Sequence, residues 1–239
     1  ENPFLSTEQI PYLIGTMLGD GSRSNNGYLR FGHCMDQFEY LGLKAEVFGG
    51  VVTKEKKVGE YKGKTYTAAF LDCPRQDQYT YLRDLMYKDG KKQFAPLKEY
   101  IDERALAWWY MDDGTTGKIK NSTTMLLCTE GLKDEVHDIS AFLNEKFGLE
   151  TMVVNNLGEK ARIRIPARDQ EKFCALIAPH VHPSMRHKLL PQFKDVPYVM
   201  PSFRRLDIGA KKVTVTRADD AKSDQYDITV ADNFKDRKS

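Results

Sequence analysis

Two segments, Leu13–Gly21 (LIGTMLGDG) and Leu106–Gly114 (LAWWYMDDG), run through apolar or small residues and end in the same Asp-Gly, a small domain's length apart. No other feature constrains the chain as much. Each run has helical character and delivers a carboxylate to its C-terminal end. The helix dipole places negative partial charge there, and an aspartate costs roughly 0.3–1 kcal/mol relative to a cation. One such aspartate could be an accident of a turn. Two at domain spacing suggest paired carboxylates held for a shared purpose, a divalent cation with hard oxygen ligands.

One order of elements repeats after each segment. Past Asp20 a polar turn over 21–27 leads to a strand at Tyr28–Cys34, where Leu29 and Phe31 share one side and Tyr28 and Arg30 the other. A helix from Asp36 to about Phe48 follows, then a hairpin of 50–58 and 64–72, then a helix from about Arg75 to Tyr87. The second half runs as a turn and short strand over 115–122 and a strand over 123–129. An amphipathic helix over 132–147 stops at Gly148, a hairpin pairs 150–155 with 160–165, and a helix over 167–178 stops at Pro179. The chain is therefore expected to be α+β, a duplicated αββαββα unit with halves at 1–88 and 103–190 related by a pseudo-twofold. A polar linker over 89–102 joins them, and a linker with a β tail occupies 191–239.

The strands indicate a partner. In Ala161-Arg162-Ile163-Arg164-Ile165 the arginines take one face and the isoleucines the other. The first half offers Arg23, Asn25, Tyr28, Arg30, Lys54, Lys56, Lys64 and Tyr66 around its strands, and the second adds Lys118 and Lys120. A curved antiparallel sheet with a basic, polar concave face fits the DNA major groove, where such side chains read base edges, while lysines near the turns meet phosphate. For any single lysine, an ordinary solvated strand face is the simpler account.

With these residues in view, the two segments resemble the paired motifs of the LAGLIDADG homing endonucleases in their single-chain form, over residues 7–190. The first matches through Leu13, Gly15, Gly19, Asp20 and Gly21. The second is similar to the family's Leu-Ala-Tyr-Trp-Phe-Met-Asp-Asp-Gly variant, but it lacks small residues where the first has Gly15 and Gly19. The resemblance implies a monomeric, site-specific endonuclease that makes a double-strand break in a long asymmetric DNA target. It implies Mg²⁺ as cofactor, with Mn²⁺ substituting and Ca²⁺ binding without supporting cleavage. Asp20 and Asp113 would be catalytic and metal-binding, beside Gly19 and Asp112, the latter as a structural residue or a backbone ligand. Lys92 and Lys188 resemble the family's basic residues near the phosphate. Gly21 and Gly114 are expected to end their helices in the left-handed conformation. Trp108, Trp109 and Tyr110 are expected in the core between the halves, with Leu13, Ile14, Met17 and Leu18. The alternative on the same scaffold is an RNA-splicing maturase or a DNA-binding regulator, which loss of either aspartate would favour.

Composition sets outer limits. The 239 residues are 41% hydrophobic and carry a net charge of +2, so a basic surface must come from distribution, not from total charge. No apolar run approaches the roughly 20 residues of a membrane helix. With no signal-peptide pattern and no opening methionine, the chain reads as an intracellular fragment or processed product, not a secreted one and without an obligate protein partner. Cys34, Cys73, Cys128 and Cys174 lack metal spacing and read as buried reduced thiols. His180, His182 and His187 gather around Pro183 without a cysteine or carboxylate, so no metal site is expected there. In the tail, Pro191–Pro201 reads as a linker, and 212–216 and 225–230 as two strands. Tyr226-Asp227-Ile228-Thr229-Val230 followed by Asn233-Phe234 resembles the penultimate strand of inteins, a resemblance that implies an intein-derived endonuclease, with an unrelated β-hairpin as the alternative.

Overall fold

The computed structural model describes residues 7–23, 29–61, 64–74, 77–119, 122–156, 160–201, 213–217 and 226–230. The apolar run of the first motif becomes α1 (Ile10–Leu18), in which every residue from Pro11 to Leu18 is buried. It leads through β1 (Ser22–Arg23) to β2 (Leu29–Cys34), α2 (Phe38–Phe48), β3 (Val51–Tyr61), β4 (Lys64–Asp72) and α3 (Asp77–Met86). Next comes a small hairpin, β5 (Tyr87–Lys88) and β6 (Lys91–Lys92), within the expected linker. The second motif forms α4 (Glu103–Asp113), followed by β7 (Gly114–Ile119), β8 (Ser122–Cys128), α5 (Val136–Phe147), β9 (Met152–Asn156), β10 (Lys160–Ile165) and α6 (Gln170–Ile177).

The two sheets have the same plan. One runs β1-β2-β4-β3 and the other β7-β8-β10-β9, with every pairing antiparallel. In β2, Leu29, Phe31 and His33 are buried while Arg30 and Cys34 are exposed, the alternation of a one-sided sheet. Helices lie between the buried faces, so the duplicated order read from the sequence is the order in the molecule.

α1 and α4 pack together at the centre. Asp102 starts α4 by accepting hydrogen bonds from the N–H groups of Arg104 (2.9 Å) and Ala105 (3.1 Å). Trp108 packs on Tyr12, Tyr40 and Phe48 of the first half, whereas Tyr110 meets Phe173 of the second. The aromatic run is thus core, as expected. Close approach depends on α1 and the residue after it. A Cβ on Gly15 would overlap the Ala105 carbonyl, and one on Gly19 would overlap the Asp112 side chain. Gly15→Ala should therefore lower stability by about 2 kcal/mol or more, which a urea midpoint at unchanged slope would measure.

Several expectations need correction. Gly114 is extended (φ −78°, ψ 149°), and neither it nor Gly21 has positive φ. The reason is steric. A Cβ on Gly114 would strike Tyr110, and one on Gly21 would lie 2.8 Å from both the Met17 Cα and the Thr16 carbonyl oxygen, so the chain turns back against its own last helical turn. α1 ends before Asp20, whereas Asp113 is the last residue of α4. The long helix expected from Leu132 begins only at Val136. A short 3-10 stretch over Glu130–Glu135, broken at Leu132, precedes it, and Glu135 accepts from Phe94 N (2.7 Å) and Ala95 N (3.0 Å). Cys73 and Cys174 are buried, but Cys34 is exposed and Cys128 half-buried.

Pro191–Pro201 is not a free linker. Val199 N–H donates to the Pro179 carbonyl (2.7 Å), and Phe193, Val196 and Tyr198 pack on the core. Residues 1–203 form one compact unit and 204–239 a second, whose described part is the antiparallel pair β11 (Val213–Arg217) and β12 (Tyr226–Val230). Among the described residues no helix is long and apolar enough to cross a membrane.

Candidate functional site

The C-terminal ends of the two motifs meet in one polar centre inside an apolar surround. Asp113 is held up to about 7 by burial first, then by the charges of Asp20 and Asp112. Asp20 is raised to about 6 by burial and by Asp112. In both carboxyls burial and the neighbouring aspartates outweigh the downward pull of Lys92 and Lys188.

Two lysines approach the centre in matching positions. Lys92, from β6, donates to the Gly19 carbonyl at 2.7 Å. Lys188, in the 3-10 turn Pro183–Lys188, donates to the Met111 carbonyl and to the Asp112 carbonyl (3.3 Å). Each ammonium therefore caps the peptide just before a motif aspartate. Burial pulls both lysines below their ordinary value, against the pull of the aspartates. Lys92 uses one of its three N–H donors and Lys188 two on carbonyls among the described residues, which leaves two and one respectively for an anion. Lys92, Lys188, Asp20 and Asp113 are thus brought together as the sequence suggested.

Asp112 plays a different part from its neighbour. Its side chain is fully buried and meets Lys44 Nζ at 2.8 and 2.9 Å, Thr16 Oγ1 at 2.8 Å and the Asp20 backbone N–H at 3.3 Å. Burial works to raise this carboxyl, but Lys44, His33 and Thr16 outweigh it and hold it below the ordinary value. The Asp112 carboxylate is thus tied up in the packing between the two motifs, and its carbonyl, which accepts from Lys188, is the group left to the centre. Sequence reading missed Lys44 and His33. Lys44 is buried over the Tyr40 ring (4.5 Å) and reaches His33 Nε2 at 2.8 Å, while His33 Nδ1 lies 2.8 Å from Gln37 Oε1 and 3.5 Å from Asp20 Oδ2. Asp20, His33 and Asp112 bring ligand atoms within 4.8 Å of one another, but the Lys44 ammonium already supplies the cation in that cluster.

The donor set left over fits a hard divalent ion. It comprises the Asp20 and Asp113 carboxylates with the Gly19 and Asp112 carbonyls beside them, all oxygen, at carboxyls that burial and mutual charge leave undercompensated.

Of the residues read as DNA contacts, Arg164 and Lys118 are exposed and Arg162 half-buried, with a Glu130 oxygen 3.9 Å from its guanidinium. Arg30 is exposed but held by both oxygens of Asp72 (2.6 and 2.8 Å). Lys54, Lys56, Lys64, Tyr66 and Arg23 lie on strands, though their side chains fall outside the described residues; Asn25, Tyr28 and Lys120 lie outside them altogether.

Residues 10–173 match a family model described as the LAGLIDADG DNA endonuclease family. The solved structure of the homing endonuclease I-WcaI bound to its DNA recognition sequence is similar, at 30% identity and TM-score 0.68, covering 78% of this chain and 87% of that one. A probable intron-encoded endonuclease 1 of Wickerhamomyces canadensis is 33% identical across 78% of this chain and 85% of its own length. Protein RecA of Mycolicibacterium fallax is 29% identical across 85% of this chain, which spans 51% of that protein, about half its length.

Proposed function

The chain belongs to the LAGLIDADG DNA endonuclease family, and on that footing we propose that it is a site-specific homing endonuclease that cuts both strands of a long asymmetric DNA target. The observation that carries the reading is the matched pair of half-centres. In each, the carbonyl just before a motif aspartate is capped by a lysine, Gly19 before Asp20 by Lys92 and Asp112 before Asp113 by Lys188. A duplex presents two scissile phosphates related by a local twofold, and two matched centres suit it.

Asp20 and Asp113, with the Gly19 and Asp112 carbonyls, would hold the divalent ion, Mg²⁺ in this reading, with Mn²⁺ as a substitute and Ca²⁺ as an inactive occupant. When bound, that ion supplies Lewis-acid charge and lowers the pKa of water at the phosphate. Lys92 and Lys188 offer their remaining N–H groups to phosphate oxygens that gain charge in the transition state. Lys188 is buried and Lys92 half-buried, so water screens their pull on those oxygens less than it would at the surface. The exposed Arg164 and Lys118 suit a DNA-facing role on the second sheet, and the first sheet's basic strands would complete the face. Lys92→Met and Lys188→Met should each lower the cleavage rate on the order of 10²-fold at saturating DNA with little change in affinity, checked by single-turnover kinetics.

The protein acts as a monomer, because both half-centres come from one chain. Its coverage of about half of a RecA protein, together with the intein-like strand at 226–230, suggests the endonuclease part of an intein. The test is incubation of the protein with a randomised-site plasmid library and Mg²⁺, followed by sequencing of new ends. Recurrent ends at one long asymmetric sequence would support the reading. Selective retention of DNA without cutting would replace it with the regulator, and binding of structured RNA alone with the maturase.

A further inference from the structure

The two half-centres match in their backbones but not in what lies behind them. His33 pairs with Ala69 and precedes Cys34 at the end of β2; Leu127 pairs with Ile163 and precedes Cys128 at the end of β8. Leu127 is thus the counterpart of His33. α2 and α5 both end in phenylalanine followed by glycine, and one turn back from Phe48 and Phe147 stand Lys44 and Leu143. Gly19 precedes Asp20 where Asp112 precedes Asp113. The second half therefore buries Leu127 and Leu143 where the first buries His33 and Lys44. A charged partner of that pair, Asp112, reaches across from the second motif into the first half.

Lys44 fixes the histidine tautomer. An ammonium can only donate, so His33 Nε2 accepts from it and Nδ1 carries the hydrogen. That N–H donates to Gln37 Oε1 (2.8 Å), and an Asp20 carboxylate oxygen stands 3.5 Å from the same nitrogen. Asp112 accepts the Asp20 backbone N–H on the same side of the centre. Among the described residues no histidine stands at this distance from the Asp113 side chain.

We propose that Lys44, His33 and Asp112 are positioning residues for Asp20 alone, so that its half-centre is set in advance and cuts its strand first. This rests on the nuclease reading above. The relay acts by orientation: Asp112 holds the Asp20 main chain, His33 steers its carboxylate, and Lys44 keeps both partners in the required state. Asp113 has Leu127 and Leu143 behind it and relies on its ligands.

The test uses His33→Leu, which installs the second half's residue and leaves the Lys44–Asp112 pair intact. Alongside it runs the triple variant His33→Leu, Lys44→Leu, Asp112→Gly, which removes every charge of the cluster together. Strand-resolved single-turnover cleavage of the mapped target should show a nicked intermediate in the wild type. In His33→Leu the faster strand should slow by about tenfold, the scale of lost orientation, while the slower strand keeps its rate; the triple variant should narrow the ratio of the two strand rates by a similar factor. A purely structural role would slow both strands alike. The second readout needs no cleavage: in histidine-¹⁵N-labelled protein, His33 should be the neutral Nδ1–H tautomer, and its ring shifts should move in Asp20→Asn. Equal strand rates in the wild type, or an unchanged strand ratio in both variants, would overturn the proposal. So would a His33 ring that is the other tautomer or indifferent to Asp20→Asn, and that result holds whether or not the protein cuts DNA.

Discussion

Lys44→Met is expected to cost about 3–5 kcal/mol of stability, the penalty for stranding one charge of a buried pair. Neither Lys44 nor Asp112 exposes any of its side chain, and the ammonium supplies two of the contacts that keep the carboxylate ionised away from water. Among the described residues, removing it leaves Asp112 with hydrogen bonds from Thr16 and one backbone N–H and with His33 Nε2 at 3.9 Å. Lys44→Met/Asp112→Asn should recover part of the loss, because no buried charge remains. Urea unfolding at constant slope measures both. A single-variant loss below about 1 kcal/mol, the range of solvent-exposed pairs, would show that the pair is not sealed from water.

The second large effect concerns pH and metal. Asp20 and Asp113 stand at about 6 and about 7 against an ordinary 3.8, so their folded values are raised. A carboxyl raised on folding contributes stability that is present below its unfolded value and lost as pH climbs through its folded value. Metal-free protein should therefore lose stability between about pH 4 and 7, on account of these two groups, before other titrations are added. Asp20→Asn/Asp113→Asn should flatten that decline and melt higher than the wild type in EDTA at pH 8. Added Mg²⁺ should raise the wild-type Tm by binding the native state and leave the double variant unmoved. Thermal melts across pH with and without Mg²⁺ check all three. A double variant that melts lower than the wild type without metal would remove the case for strained carboxylates.

The legible parts of this molecule are those where local pattern and tertiary role coincide. The motif runs read as core because apolar residues fill every face of α1 and most of α4, and the sheet faces read correctly because alternation in β2 and β10 matches burial. Lys92 and Lys188 could be found only through the resemblance; as isolated residues they look like surface lysines. The Lys44 cluster was hidden because a charge within an amphipathic helix is normally solvated. A signal did exist: Lys44 falls in line with Tyr40, Leu41, Val47 and Phe48, on the apolar stripe of α2, where a lysine requires a buried partner. The partner could not be read locally, since Asp112 comes from the other motif and fits only because Gly19 has no side chain. The glycines after the aspartates were misread for a related reason. Helix-stop chemistry favours left-handed glycine, as Gly148 shows with φ 62°, but at Gly114 the chain enters a strand at once and crowding against Tyr110 excludes a Cβ.

The central claim is that Asp20 and Asp113 together form a metal-dependent nuclease centre. Its most direct test is cleavage of the mapped target in Mg²⁺ by wild type, Asp20→Asn and Asp113→Asn at equal DNA occupancy. The account predicts that each substitution lowers double-strand cleavage by at least on the order of 10³-fold, the scale set by losing a group that stabilises transition-state charge, while binding of the target persists. Cleavage that survives either substitution at near wild-type rate would contradict it.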